Sequence, residues 1–207
     1  DYTIKAFNTA WRYRFPTFIL GDGYQGKMRE PLTMYDPEVR GIKPVPAEPY
    51  VGRPGIPGID RPPAHWRNAY SIEEELYEAV MELVKEYQKV AREIVEHEAF
   101  AIEGAKVVAV AHGVVFRAVK GIVRELRQQG VPVGYFRPIT LRPFPEEEIR
   151  RVAATGARLL VVESAYGQLA RLVKEALSGV SVEIHGLFKP GVLVGQEEIA
   201  AHVKTLV

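Results

Sequence analysis

The sequence predicts an α/β protein: a mostly parallel, doubly wound sheet, preceded by an extended proline-rich linker and a long helix. Three observations carry that class. From Lys106 onward, short apolar runs at 107–111, 133–136, 159–162 and 182–184 alternate with amphipathic stretches. Strands apolar at successive positions are buried on both faces, which a parallel sheet covered by helices provides. Residues 31–63 hold nine of the fifteen prolines, with Gly41, Gly52, Gly55 and Gly58, a composition that sustains neither a helix nor a central strand. Between residues 71 and 100, apolar side chains recur at helical spacing.

Composition sets the bounds. With 207 residues, 47% of them hydrophobic and 26% charged, the chain resembles an ordinary globular protein. A formal net charge of +1 supplies no field for nucleic acid or an anionic membrane. No run approaches the roughly 18 apolar residues of a membrane span, and no basic, apolar signal segment opens the chain, so a cytoplasmic location is expected. The absence of cysteine excludes disulfides and a cysteine-ligated iron–sulfur cluster. The first residue is Asp1 rather than methionine, and the chain is expected to be a fragment.

Taken in order, residues 2–14 read as a helix with Ile4, Phe7, Ala10 and Trp11 on one stripe, ended by Pro16. Thr17 to Leu20 reads as a short strand that needs a sheet to join. One helix and one strand cannot bury Phe7, Trp11, Phe18 and Leu20, so these are expected to be covered from elsewhere. Gly21-Asp22-Gly23 reads as a turn into a helix. In the proline-rich connector, Tyr35, Tyr50 and Trp66 indicate that parts of it pack. Ser71-Ile72-Glu73-Glu74 has the form of a capping box. It opens a helix of roughly 28 residues, about 40 Å long, carrying Ile72, Leu76, Val80, Leu83, Tyr87, Val90, Ile94 and Val95. Each such side chain gains roughly 1.5–3 kcal/mol on burial, so the helix is expected to dock on something. Helices are then predicted at about 114–129, 146–155, 167–177 and 196–206, with Gly130 closing the first of them.

The most distinctive stretch is 134–145, Gly-Tyr-Phe-Arg-Pro-Ile-Thr-Leu-Arg-Pro-Phe-Pro. Pro138 keeps Arg137 extended, and Pro138, Pro143 and Pro145 stiffen the loop. Pro145 suits a first helical position, with Glu146, Glu147 and Glu148 where the helix dipole favours negative charge. Loops at the carboxyl ends of parallel strands are where open α/β sheets receive ligands. That makes Arg137, Thr140, Arg142, Glu163, Gln168 and His112 the candidates for an interface or a substrate approach. Glu163, at a strand end, is a candidate base or an ion-pair partner for Arg137, and the ion pair is the expectation. His185 lies at another strand end, while His65, His97 and His202 are scattered without a metal-ligand pattern. No Gly-x-Gly-x-x-Gly follows any strand. No catalytic, cofactor-binding or metal-binding residue is assigned to the chain itself.

These residues also carry a resemblance. The 134–145 stretch is similar to the arginine–proline loop in the α subunit of 2-oxoacid:ferredoxin oxidoreductases. Val161-Val162-Glu163 with Gly167-Gln168 resembles the next strand-end motif, although Ala165 stands where the family usually has a small polar residue. Thr3-Ile4-Lys5-Ala6-Phe7, Tyr13-Arg14-Phe15-Pro16 and Asp22-Gly23-Tyr24 resemble the end of that subunit's pyrimidine-type domain. Met28-Arg29-Glu30-Pro31 and the long helix resemble the branched-chain, 2-oxoisovalerate type. The resemblance implies an end of a pyrimidine-type domain at 1–30, a linker at 31–70, a long linking helix at 71–104 and a transketolase C-terminal-like domain at 105–207. It implies thiamine diphosphate chemistry in the whole enzyme, with oxidative decarboxylation of a 2-oxoacid, acyl transfer to coenzyme A and electrons passed to ferredoxin. In that scheme thiamine diphosphate and Mg²⁺ lie on a separate β subunit and the iron–sulfur clusters on other subunits or domains, a ferredoxin-like subunit among the partners. Thiamine diphosphate enzymes also use a Gly-Asp-Gly whose aspartate holds the metal with an asparagine about thirty residues later, but here the later asparagine is Asn68, so Asp22 is read as a turn residue. This chain is expected to be an interface-forming, oligomeric part that is inactive alone. A stand-alone small-ligand module and a structural assembly domain are the other readings.

Overall fold

The computed structural model describes residues 1–46, 50–64 and 67–207. His65 and Trp66 lie outside the described residues. The chain divides into two units, Asp1–Gly21 with Lys27–Glu93, and Asp22–Gly26 with Ile94–Val207.

In the first unit, helix α1 spans Tyr2–Tyr13 and ends at Arg14 in the left-handed region (φ 57°). Pro16 forbids continuation. Asn8 ties the helix to the connector, its amide donating to the Lys43 carbonyl (2.9 Å) and accepting from the Val45 N–H (2.7 Å). Asp1 pairs with Arg40 at 2.9 Å. The five-residue helix α2, Gly23–Lys27, precedes the connector, which holds one short 3₁₀ turn, Pro37–Arg40, capped by the Asp36 carboxylate, and no other regular helix or strand among its described residues before α3. Asp22 accepts the Tyr24 N–H at 2.7 Å, the turn role predicted for it. Residues 17–20 form no strand, since among the described residues no strand lies beside them to satisfy their backbone groups. Phe7, Phe18 and Leu20 are exposed.

Helix α3 spans Glu73–Ile94, shorter than the sequence suggests at both ends. Its first backbone bond runs from Leu76 N–H to Ile72 O, so Ile72 rather than Ser71 holds the cap position. At the far end the chain turns into strand β1, His97–Phe100, within the stretch assigned to helix. Pairing overrides propensity there, since β1 satisfies the outer edge of the neighbouring strand.

The second unit contains β1, β2 (Val107–Val110), α4 (Gly113–Gln128), β3 (Val133–Pro138), α5 (Glu146–Ala154), β4 (Arg158–Glu163), α6 (Gln168–Ala176), β5 (Ile184–Phe188) and α7 (Gln196–Leu206). The five strands lie in the order β1-β3-β2-β4-β5. Strands β3, β2, β4 and β5 are parallel, and β1 is antiparallel to β3. The sheet is therefore mostly parallel, as predicted. Strand β5 begins two residues later than the apolar run suggests and continues through His185 and Gly186, because its register is set by β4, Leu159 facing Ile184 and Glu163 facing Phe188.

The pleat sends alternate residues to opposite faces. Val107, Ala109, Leu160, Val162 and Tyr135 join α4 and α7 in one core, while Val108, Val110, Leu159, Val161 and Phe136 join α5 and α6 in the other. That is the doubly wound arrangement. Gly130, at φ 83°, ends α4 as predicted, since a side chain there would be strained. Pro145 occupies the cap position of α5, one place before the predicted one, and the three glutamates fill its first turn.

A Cβ added at Gly134 would lie 2.7 Å from Phe100 O and 2.6 Å from Ala101 O. Both obstacles are backbone, so β1 would have to move. Gly134→Ala is expected to destabilise the second unit by about 1–3 kcal/mol, measured by denaturant unfolding.

Candidate functional site

The parallel strands end side by side, and their carboxyl edge gathers most of the candidates. His112 follows β2 and occupies the cap position of α4. Arg137 is the penultimate residue of β3 and Glu163 the last of β4. Both charged groups bear on the histidine: burial lowers the pKa of His112 below its ordinary 6.5, with Glu163 opposing and Arg137 reinforcing the shift.

Arg137 does not take Glu163 as its partner. Strand β2 separates their strands, about two strand spacings or roughly 10 Å. Arg137 instead faces Glu98, its register partner on β1, with Nη1 to Oε2 at 3.4 Å. Its guanidinium carbon stands 4.7 Å from the centre of the Phe116 ring, an arrangement that favours the cation, and its buried Nε has no hydrogen-bond partner among the described residues. Glu98 is the hub of this group. Its Oε1 accepts from Lys120 Nζ at 2.7 Å and from the Tyr135 hydroxyl at 2.8 Å. Burial pushes the Glu98 carboxyl up, but Lys120, Tyr135 and Arg137 outweigh it and hold it below the ordinary 4.5. Tyr135 is shifted the other way, raised by burial and by Glu98.

Glu163 is 3% exposed, and a carboxylate that deep needs donors. It finds them at the start of α6, where the N–H groups of Leu169 (2.9 Å) and Ala170 (3.3 Å) donate to its two oxygens. The carboxylate thus satisfies two orphan amides at the positive end of a helix dipole. This role also fixes the turn at Gly167, whose φ of 85° belongs to the left-handed region. Gln168 closes the same turn, its Oε1 accepting from Tyr166 N–H at 2.7 Å.

Thr140 anchors the proline loop. Its Oγ1 accepts the Glu96 N–H (3.0 Å), while the N–H groups of Ile139 and Thr140 donate to the Glu96 carbonyl (3.0 and 3.1 Å). Arg142 is exposed and precedes Pro143 through a cis peptide bond. Of the six candidates, His112, Arg137 and Glu163 share one edge, Thr140 and Gln168 brace the loops beside it, and Arg142 faces solvent. The sequence missed Glu98, Lys120, Tyr135 and Glu96, because 96–100 reads as helix. The polar–apolar alternation of His97-Glu98-Ala99-Phe100 was the available signal.

Asp22 accepts the Tyr24 N–H in its turn, and no three His, Cys, Asp or Glu side chains gather to hold a metal among the described residues. With no cysteine anywhere, an iron–sulfur cluster has no thiolate ligand either. No helix among the described residues is long and apolar enough to cross a membrane.

The Glu98 geometry predicts coupling energetics. A thermodynamic cycle on Arg137→Ala and Glu98→Ala is expected to show non-additivity of roughly 0.5–1.5 kcal/mol, whereas Arg137→Ala and Glu163→Ala are expected to add. Glu163→Ala alone leaves buried amides unpaired and is expected to cost about 1–3 kcal/mol; both follow from denaturant unfolding.

His112 predicts a pH effect. Its folded pKa is lowered, so the unfolded chain binds the proton more readily and stability falls as pH drops below 6.5 toward the folded value. Unfolding curves measured across that window are expected to flatten in His112→Asn.

Comparison with known proteins supplies the context. Residues 105–196 match the model of pyruvate:ferredoxin oxidoreductase core domain II. The chain is 34% identical over 197 residues to the ketoisovalerate oxidoreductase subunit VorB of Methanothermobacter marburgensis, covering 89% of this chain and 51% of that protein. It is 32% identical over 190 residues to the 2-oxoglutarate synthase subunit KorA of Methanocaldococcus jannaschii, covering 82% and 50%. The chain therefore spans about half the length of these relatives. The fold is similar, at a TM-score of 0.55 and 20% identity over 79% of this chain and 28% of the other, to 2-oxoglutarate:ferredoxin oxidoreductase from Magnetococcus marinus, whose structure holds 2-oxoglutarate, coenzyme A and succinyl-CoA. With a doubly wound core that matches domain II and similarity to these subunits along most of its length, this chain is a homologue of 2-oxoacid:ferredoxin oxidoreductase subunits.

Proposed function

We propose that the chain supplies the carboxyl-terminal part of the α subunit of a thiamine-diphosphate-dependent 2-oxoacid:ferredoxin oxidoreductase, with a structural and interface role rather than a catalytic one. The observation that carries this is the way the polar side chains at the strand ends are engaged. Glu163 caps α6, Arg137 is directed to Glu98, and Thr140 holds the loop to Glu96. These contacts make a rigid edge, and rigidity lowers the entropy lost when a partner docks. In this reading residues 1–30 end a pyrimidine-type domain, 31–70 link it onward, 71–104 are the linking segment and 105–207 form the transketolase C-terminal-like domain.

Thiamine diphosphate and Mg²⁺ belong to a companion β subunit, and iron–sulfur clusters to other subunits, in a cytoplasmic complex. The assembled enzyme would decarboxylate a 2-oxoacid oxidatively, transfer the acyl group to coenzyme A and pass electrons to ferredoxin. The branched-chain type is supported by Met28-Arg29-Glu30-Pro31 and by the similarity to VorB. Arg142, exposed on the proline loop, is the residue offered to a neighbouring subunit or to an acidic substrate group.

The purified chain is expected neither to bind thiamine diphosphate in titration calorimetry nor to reduce a viologen dye with 2-oxoisovalerate. Co-expressed with the thiamine-diphosphate-binding subunit, it is expected to co-purify with it. Turnover by the chain alone, or no association on co-expression, would overturn the proposal.

A further inference from the structure

We infer that the open edge of β1 is a docking site for an extended, acidic segment of another polypeptide, which adds a strand to the sheet and lays its carboxylates along a basic ridge of α4. Strand β1 is the last in the order β1-β3-β2-β4-β5, and among the described residues no strand pairs with its outer side. The register shows which backbone groups face that side. His97 is opposite Pro138, and proline has no N–H to exchange. The bonded pairs of this antiparallel ladder are therefore Glu98 with Arg137 and Phe100 with Tyr135. The Ile139 N–H donating to the Glu96 carbonyl at 3.0 Å continues the same alternation. His97 and Ala99 turn their N–H and C=O groups outward, and both residues are exposed.

An open edge is a template for a further strand unless it is blunted. Proteins blunt edges with an outward lysine, a proline or a bulge, and β1 has none of these: its outward residues are a histidine and an alanine, and its four residues pair with β3 without interruption. Its shortness is the one restraint. The two outward residues offer too few backbone bonds to hold a strand by themselves, so recognition needs a second source.

Helix α4 supplies it. Arg117, Lys120, Arg124 and Arg127 recur at spacings that place them along one side of the helix, against a single acidic residue, Glu125, in the whole element. The ridge runs in step with β1. Lys120 reaches Glu98 at 2.7 Å, the Arg124 guanidinium stands 5.5 Å from the centre of the Phe100 ring, and Arg127 donates to the Glu103 carbonyl at 3.3 Å. Glu98, the carboxylate of β1, is already answered by Lys120, Tyr135 and Arg137. Arg124 and Arg127 hold no carboxylate among the described residues. A strand added beside β1 lies about 4.8 Å farther out and turns alternate side chains to the α4 face. Carboxylates at those positions come within reach of the two arginines. Main-chain bonds then give the docking and the ridge selects acidic sequences, the division of labour of strand addition.

The inference stands apart from the proposed function, because it is tested on the chain alone with synthetic peptides. The probe is a fluorescein-labelled peptide of three Glu-Val repeats, titrated by anisotropy. It is expected to bind, to bind less as salt rises, and to bind at least about tenfold more tightly than the same peptide with lysine for glutamate. Hydrogen exchange of the free chain is expected to be fast at the His97 and Ala99 amides and slow at Glu98 and Phe100; the peptide is expected to slow the first two. Ala99→Pro removes an outward donor that the fold does not use and is expected to abolish binding with thermal unfolding little changed. Arg124→Glu with Arg127→Glu is expected to do the same through charge. N-methylation of the peptide amides that face β1 tests the backbone bonds with the protein untouched, and it is expected to abolish binding as well. Absence of binding, equal binding of the lysine peptide, binding indifferent to Ala99→Pro and to N-methylation, or His97 and Ala99 amides as slow as Glu98 in the free chain would each overturn the inference.

Discussion

Four residues of β2, Val107, Val108, Ala109 and Val110, are fully buried, and burial on both faces is the constraint from which the second unit follows. A strand with apolar side chains pointing both ways needs a layer of helices on each side. Helices α4 and α7 cover one face and α5 and α6 the other. Right-handed crossovers then bring the carboxyl ends of β2, β3 and β4 to a common edge. His112, Arg137 and Glu163 are neighbours there because of the sheet, although up to 51 positions separate them in sequence.

What happens at that edge is decided by desolvation. A carboxylate as deep as Glu163 is stable only with donors, and the start of α6 offers two N–H groups with a favourable dipole. Arg137 is less enclosed and has an alternative in Glu98, which also collects Lys120 and Tyr135. Two separate groups result, one that shapes the Ser164–Gln168 turn and one that fastens the antiparallel edge strand to β3 and α4. Each spends a charged side chain on architecture, which accords with the chain being a homologue of subunits that work inside larger assemblies.

The first unit shows the opposite economy. Its aromatic and aliphatic side chains are abundant, yet Phe7, Phe18, Leu20, Leu76 and Leu83 remain exposed. Here polar ties such as Asn8 to Lys43 and Val45 hold the connector in place, while the apolar surface stays open. Apolar faces of this breadth are interaction surfaces in most proteins.

The sequence by itself determined the sheet-and-helix alternation after Lys106, because unbroken apolar runs and helical repeats are local signals read within a dozen residues. It determined the end of α4 at Gly130, the turn at Asp22 and the stiffness of the proline loop for the same reason, each being a property of one residue's backbone. It also carried the family resemblance through the 134–145 stretch. The alternation that marks strand β1 was masked because His97-Glu98-Ala99-Phe100 is short and continues a helical pattern; its pairing with β3 exists only once β3 is in place. Residues 17–20 have strand composition without a strand, for want of a neighbour. The partner of Arg137 was likewise a tertiary decision: strand order put β2 between Arg137 and Glu163 and put Glu98 directly opposite Arg137, and a contact between distant segments is fixed by which strands lie side by side, a quantity that no local pattern encodes.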